Sequence, residues 1–512
     1  MGFTYIDYIV IVFYLFGVAL LGLKLSGKQK SNSDYFLGGD GIPWWAVLFS
    51  IVATETSTLT FISIPAVAYV GNLTFLQITI GYLVGRVIVA LFFLPKYYEG
   101  NLFTAYTFME KRFGDSMRNA ASTTFMITRL LADGVRLFAT AIPLAIVLRL
   151  GGAFTGWGDL ELYILSISVI AGITLFYTFF GGIKAVVWMD FVQMIVYLGG
   201  AFIAIYVLLG NLPENFILPS DKLQIFEFGF DLTFKEFIAE PYTFIVALIG
   251  GAVFSLASHG TDHMLVQRVL TTHNQKDGQK AMIWSGVMAM FQFGLFLCVG
   301  LLLYQFYEGV SAAQLGLATT DEIFALFVVE QLPTGISGLI IAALFAAAMS
   351  SLSSSLNSLA SSSIYDLYKP YFGKDNTEER DLSISRLMTV GWGIILTASA
   401  IFFAVLQLHG GVRPAVVELG LSIASYTYGG LLGAFLLGML FPEPDKKDAL
   451  AGFFSGLLVL LFIVEGPVQE VLPGDGLAIA WPLYTLIGSF IVIAVGVISC
   501  QLRELLLFSH TK

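Results

Sequence analysis

Charge is scarce in this chain. Asp, Glu, Lys and Arg supply 12% of its 512 residues, while hydrophobic types supply 57%, and the mean hydropathy is +0.82. A water-soluble domain must cover its core with polar surface, and this composition cannot do so. Cysteine is nearly absent. Cys298 and Cys500 lie far apart in apolar blocks, which excludes a disulfide framework or thiolate cluster and leaves both as small packing residues. The sequence has no Walker loop, Rossmann glycine pattern, nucleophile elbow or zinc signature, so an enzyme is not expected. Among five histidines, His259 and His263 stand four apart beside Asp262, yet no third ligand completes a metal or haem site. The net charge is −10, with no basic stripe that nucleic acid would need.

What is present is length without charge. Apolar blocks of about 20 residues or more match a hydrocarbon core of roughly 30 Å, and in lipid they must be helices because the backbone has to satisfy itself. About 13 spans are predicted: 5–25, 44–70, 74–98, 118–150, 161–181, 184–210, 240–268, 278–308, 334–367, 383–408, 413–441, 447–464 and 479–505. Alternate connections carry Lys28, Lys30, Lys111, Arg112, Lys276, Lys369, Lys374, Lys446 and Lys447. The others carry Asp159, Glu161, Glu214, Asp221, Glu227, Asp321, Glu322, Glu470 and Asp475. Basic connections stay cytoplasmic, which predicts an outside N-terminus and an inside C-terminus. The block Tyr5–Leu25 has no basic lead-in and is expected to be a retained helix rather than a signal peptide.

Spans two to six and seven to eleven each form a set of five, and an odd count inverts the second set relative to the first. The expected organisation is an extra helix and loop over 1–43, a first repeat over 44–210, an outer loop over 211–239, a second repeat over 240–441 and two further helices over 442–512. Each set opens on a polar helix: Ile51-Val-Ala-Thr-Glu-Thr-Ser-Thr-Leu-Thr60 in one, Ser255-Leu-Ala-Ser-His-Gly-Thr-Asp-His263, entered through Gly250 and Gly251, in the other. Polar, interrupted helices at matching places in two halves point to a midplane binding site.

The ninth span holds the densest candidate group. Ser350, Ser351, Ser353, Ser354, Ser355, Asn357 and Ser358 fill two turns of an otherwise apolar helix, and hydroxyl oxygens are hard, neutral ligands suited to an alkali cation. The plainer role, close helix packing, would be served equally by alanine. Asp190 and Glu55 are intramembrane carboxylates, each costing about 2.5–3.5 kcal/mol on insertion scales unless compensated. A bound cation would compensate Asp190; capping a neighbouring helix, or carrying a proton, are the alternatives. Arg129, Asp133 and Arg136 lie at i, i+4 and i+7 on the fourth span. They form either a self-neutralised cluster or, at Arg136, a forked donor for an anionic or hydroxyl-rich solute.

Three stretches together resemble the sodium:solute symporter family: Gly260-Thr-Asp-His-Met-Leu-Val-Gln-Arg268, Gly181-Gly-Ile-Lys-Ala-Val-Val-Trp-Met-Asp190 and Ala347-Ala-Met-Ser-Ser-Leu-Ser-Ser-Ser-Leu-Asn357. The likeness is to the branch of sodium/sugar and sodium/sialic acid symporters. It implies an all-α polytopic membrane protein with a LeuT-like 5+5 inverted-repeat core over 44–441. It also implies sodium-coupled symport of a small polar organic solute (a sugar, a sugar acid such as sialic acid, or another carboxylate) by a monomer in the plasma membrane. By motif, the common sodium site would use Ala53, Thr56, Ala347, Ser350 and Ser351. A second would use Asp190, Ser353 and Ser354, giving two sodium ions. The solute would meet Glu55, Ser57, Thr60, Gln77, Arg136, Ser255, Ser258, His259, Ser422 and Ser425, with Arg136 placed as a carboxylate-binding arginine by Pro143 seven residues on. Ser255, Ser258 and His259 stand where the sugar branch has an asparagine and bulky aromatics, and Ala289 replaces a lysine, so the pocket is expected to suit a different solute.

Overall fold

Apolar blocks without breaks become long helices, and the breaks fall where polar side chains can replace backbone partners. The computed structural model describes residues 4–510 apart from 26–28, 40, 100–101, 151–153, 155, 318, 410–415 and 465–478. The principal helices are α1 (Tyr5–Leu25), α2 (Trp44–Glu55), α3 (Thr58–Val70), α4 (Leu76–Glu99), α5 (Asp115–Leu150), α6 (Asp159–Asn211) and α7 (Phe244–Gly260). There follow α8 (His263–Leu270), α9 (Gln275–Phe306), α10 (Ile336–Ser362), α11 (Glu378–His409), α12 (Val416–Leu440), α13 (Lys446–Val464) and α14 (Tyr484–His510). The described residues contain no strand; a single bridge, Ile42 with Thr272, ties the lead into α2 to the end of α8.

By length and apolarity, nine described helices can cross a bilayer, or ten when α2 and α3, bent by 64°, count as one span. The 53 residues of α6 would run about 80 Å at 1.5 Å per residue, well over twice a hydrocarbon core. The helix is in fact two rods, meeting at Gly182, where φ is +55°. A side chain there would be strained and would strike the Tyr35 carbonyl at 2.5 Å. The two spans expected at 161–181 and 184–210 are therefore separated by a single glycine hinge.

The interruption in the second polar helix falls beyond Gly250 and Gly251, within the run 255–263. Both of those are helical, and Gly251 lets the backbone of α4 approach, with the Ile78 carbonyl at 2.7 Å from any added Cβ. The chain breaks at Thr261–Asp262, because the Asp262 carboxylate caps α8 by accepting from the Met264 amide at 2.9 Å. Helix α10 lies at the centre, packed along the second rod of α6 and against α1 and α5. Its apolar window is 89% buried, against 22% for α1 and 28% for α11, so the serine-rich helix faces protein and not lipid. Lys222, in the connection after α6, closes the end of α3 by donating to the carbonyls of Tyr69 and Val70 at 2.8 and 2.9 Å.

Candidate functional site

A serine and a threonine explain the first break. Ser57 and Thr60 form a capping box at the start of α3: the Ser57 amide donates to Thr60 Oγ1 at 3.4 Å and the Thr60 amide to the Ser57 carbonyl at 3.0 Å. In a continuous helix those amides would serve the carbonyls of Ala53 and Thr56. Both carbonyls are thus released where α2 meets α10. Ala53, Thr56, Ala347 and Ser350, with Ala346, Gln193, Met194 and Tyr197, enclose a cavity of about 10 Å³, the room of about one water-sized sphere. Ser350 donates its proton to Asp190 Oδ1 at 2.6 Å, which turns the hydroxyl lone pairs away from the carboxylate. Hard, uncharged oxygens around a single-ion space fit an alkali cation. Ser351 donates to the Thr56 carbonyl at 3.3 Å and lines a different small void, of about 10 Å³, with Ser57, Asp133 and Arg136.

Asp190 is fully buried, and its charge is answered from a direction that sequence reasoning did not identify. Besides Ser350, it accepts from Ser50 at 2.5 Å, and the Arg268 guanidinium stands 3.6 Å away, also fully buried. Arg268 further donates to Ser354, to Ser50 at 3.0 Å and to the Met264 carbonyl at 2.7 Å. Ser353 and Ser354 both donate to the Ser350 carbonyl, at 3.0 and 2.6 Å. The residues expected around a second ion therefore lie together, with a built-in cation already among them.

Beside these hydroxyls opens a cavity of about 670 Å³. Glu55, Thr60, Arg136, Ser258 and His259 line it, walled by Tyr82, Phe254, Phe293, Tyr428 and Trp481. Glu55 pairs with the buried Arg86. His259 Nδ1 lies 2.8 Å from the Ser258 hydroxyl and 3.2 Å from the Ser255 carbonyl, while Nε2 has no hydrogen-bond partner among the described residues. Asp133 Oδ1 is 3.6 Å from both Arg129 and Arg136, too far to use up their N–H donors. Arg129 is committed to Asp262 at 2.8 Å and to Tyr428 at 2.5 Å. Arg136, 20% exposed, is the guanidinium left facing the cavity with donors to spare.

Four expected pocket residues are not in the cavity lining: Ser57, which lines the small void beside Ser351, and Gln77, Ser255 and Ser425. Gln77 donates to the Tyr242 carbonyl at 2.6 Å and holds the long connection. Ser255 donates to the Tyr82 carbonyl at 2.9 Å beneath His259. Ser425 is buried away from the lining. The side chain of Ser422 lies outside the described residues.

The sequence model of the Sodium:solute symporter family matches residues 35–456. The chain belongs to that family. It is accordingly a sodium-coupled symporter and not an enzyme. It is 28% identical to the sodium/sialic acid symporter of Aliivibrio fischeri, over 98% of this chain and 94% of that one. It is also 28% identical to the human sodium/iodide cotransporter, over 88% of this chain and 68% of the relative. A solved substrate-bound, outward-open Na+-coupled sialic acid symporter superimposes with a TM-score of 0.81 at 27% identity, covering 98% of each chain. Equal identity to a carrier of an organic acid and a carrier of a halide means that overall likeness does not choose the solute; the lining must.

Several residues of this symporter's polar core were not singled out from sequence: Arg86, Gln193, Arg268 and Ser50. An intramembrane ionisable group is a functional signal in its own right, and that alone would have flagged Arg86 and Arg268. Nothing in the sequence pairs Arg268 with Asp190, 78 positions earlier, until α8 is seen to end beside α6.

Proposed function

We propose that this symporter carries a small carboxylate-bearing polar solute inward with two sodium ions. The observation that carries the reading is Arg136: a partly exposed guanidinium lining the large cavity, 3.6 Å from Asp133, so its forked donors remain free for a carboxylate. The likeness to a sialic acid symporter supports an organic acid. At the other wall Glu55 and the unpartnered His259 Nε2 suit hydroxyl groups on the same solute, since a hydroxyl can both donate and accept.

The first ion is assigned to the void between α2 and α10, with Ala53, Thr56, Ala347 and Ser350 as ligands and Ser351 fixing the Thr56 carbonyl. The second is assigned to Asp190, Ser353 and Ser354. Because Arg268 already neutralises Asp190, that ion enters only as Arg268 withdraws toward the Met264 carbonyl. Sodium in the first void joins α2 to α10 across the broken segment, which orders the helix ends that line the solute cavity. Solute must then tighten sodium in return, since coupling is reciprocal. We assign 13 spans in a 5+5 inverted repeat, an outer N-terminus, an inner C-terminus, a monomer and the plasma membrane. The broken α2–α3 and α7–α8 at matching places support the repeat.

Two sodium ions with one carboxylate move one net charge. At about 100 mV and a tenfold sodium gradient this supplies about 5 kcal/mol, an accumulation of about 5,000-fold. A thermal-shift screen of sugar acids, sugars and other carboxylates with and without sodium tests the reading. A carboxylate that stabilises wild type only with sodium, and not Arg136→Ala, is expected. Stabilisation by neutral sugars alone, or an unaltered response in Arg136→Ala, would overturn it.

A further inference from the structure

The void between α2 and α10 has a wall that the motif-derived ligand set does not include. Gln193 lies one turn beyond Asp190 on α6, so both project toward α10. Its side chain is buried, at 1% exposure, and neither its Oε1 nor its Nε2 has a hydrogen-bond partner among the described residues. The nearby Tyr177 hydroxyl donates its proton to the Met349 carbonyl at 3.1 Å and so offers the Gln193 amide only an oxygen, which leaves Oε1 without a donor. A buried primary amide with both ends unsatisfied costs free energy with no return unless something else uses it. Gln193 lines the same cavity of about 10 Å³ as Ala53, Thr56, Ala347 and Ser350, while Ser351 lines a different one.

We propose that Gln193 is a sodium ligand of this symporter, its Oε1 completing the donor set in the place the motif gives to Ser351. This rests on the assignment of the first ion to that void. The chemistry is consistent: an amide carbonyl is a hard oxygen donor without charge, like the two carbonyls released by the helix break. A fifth neutral oxygen, opposite α2 and α10, closes the void on the α6 side. It also puts one ligand on the same helix as Asp190, so occupancy of the first site orients the turn that carries the second. Tyr197, whose hydroxyl likewise has no partner among the described residues, lines the same void.

The test is sodium titration of the purified full-length chain by calorimetry, in choline buffer at fixed pH, without solute. Gln193→Leu and the unbranched Gln193→Met remove the oxygen and relieve a buried amide that has no well-formed hydrogen bond, so both are expected to keep or raise thermal stability in sodium-free buffer. Both should weaken sodium binding about tenfold, the loss of roughly 1.4 kcal/mol. Gln193→Asn, which keeps the amide on a shorter stem, should fall between. Sodium affinity unchanged in both Leu and Met variants, or stability lost without sodium in both, would overturn the proposal in favour of a packing role. Ser350→Ala, run in parallel, separates the two failures. If it weakens sodium while the Gln193 variants do not, only Gln193 is removed from the site; if neither does, the void is not the sodium site.

Discussion

Arg268 and Asp190 make a sharp case for a double-mutant cycle. Both are fully buried and 3.6 Å apart, and at an effective dielectric of about 20 such charges attract by about 5 kcal/mol. Asp190→Asn leaves the guanidinium with only the Met264 carbonyl and two hydroxyl oxygens. Arg268→Gln leaves the carboxylate with only Ser50 and Ser350. Stranding either charge should cost about 3 kcal/mol, the low end for a broken buried pair, because those neutral partners persist. Asp190→Asn with Arg268→Gln removes both charges and should return to within about 1 kcal/mol of wild type. The assay is the thermal midpoint of detergent-solubilised protein in choline buffer, followed by sodium addition. Sodium should rescue Arg268→Gln, where it can take the place of the lost guanidinium, and should leave Asp190→Asn unrescued. A double variant as unstable as its two parents combined, or equal sodium responses in both single variants, would refute the shared site.

Other expectations follow from the same contacts. Arg136→Lys should weaken carboxylate binding by about tenfold through loss of the fork, with sodium affinity in the absence of solute unchanged; a sodium change of equal size would make Arg136 structural. Reconstituted protein should pass one net positive charge per carboxylate, so uptake should rise with an inside-negative potential at fixed gradients; uptake indifferent to potential would indicate one sodium ion. Replacing sodium by choline at constant pH should abolish uptake, whereas persistence under a proton gradient would hand the coupling to Asp190 or Glu55. Ser355→Ala removes the 2.5 Å hydrogen bond to Asp133 and should weaken solute more than sodium, read by thermal shift with each alone.

How far the molecule was legible from sequence depends on which interactions were local. Apolar runs place the helices, and Ser57 with Thr60 announces the first break because a capping box is written within four residues. The second break falls within the polar run 255–263, but its exact place, Thr261–Asp262, depends on the Asp262 side chain turning back to the Met264 amide, which an aspartate in an apolar block does not by itself announce. The serine cluster on α10 was visible because hydroxyls stand out against alanine. Its partners were not. Arg268 against Asp190, Arg86 against Glu55 and Gln193 facing Ser350 are contacts between helices far apart in sequence, and only their packing creates them. This also changes how the site must be probed. Alanine at Asp190 is not a clean removal of a sodium ligand, because it strands Arg268.

The account turns on the void between the broken α2–α3 and the serines of α10. Its most direct test is equilibrium binding of radiolabelled sodium to the purified protein, wild type against Ser350→Ala, at fixed pH and ionic strength. Saturable binding to more than one site in wild type, with at least one site lost in a variant that is still folded in choline, is the predicted result. Equal sodium binding by the two proteins would contradict the account.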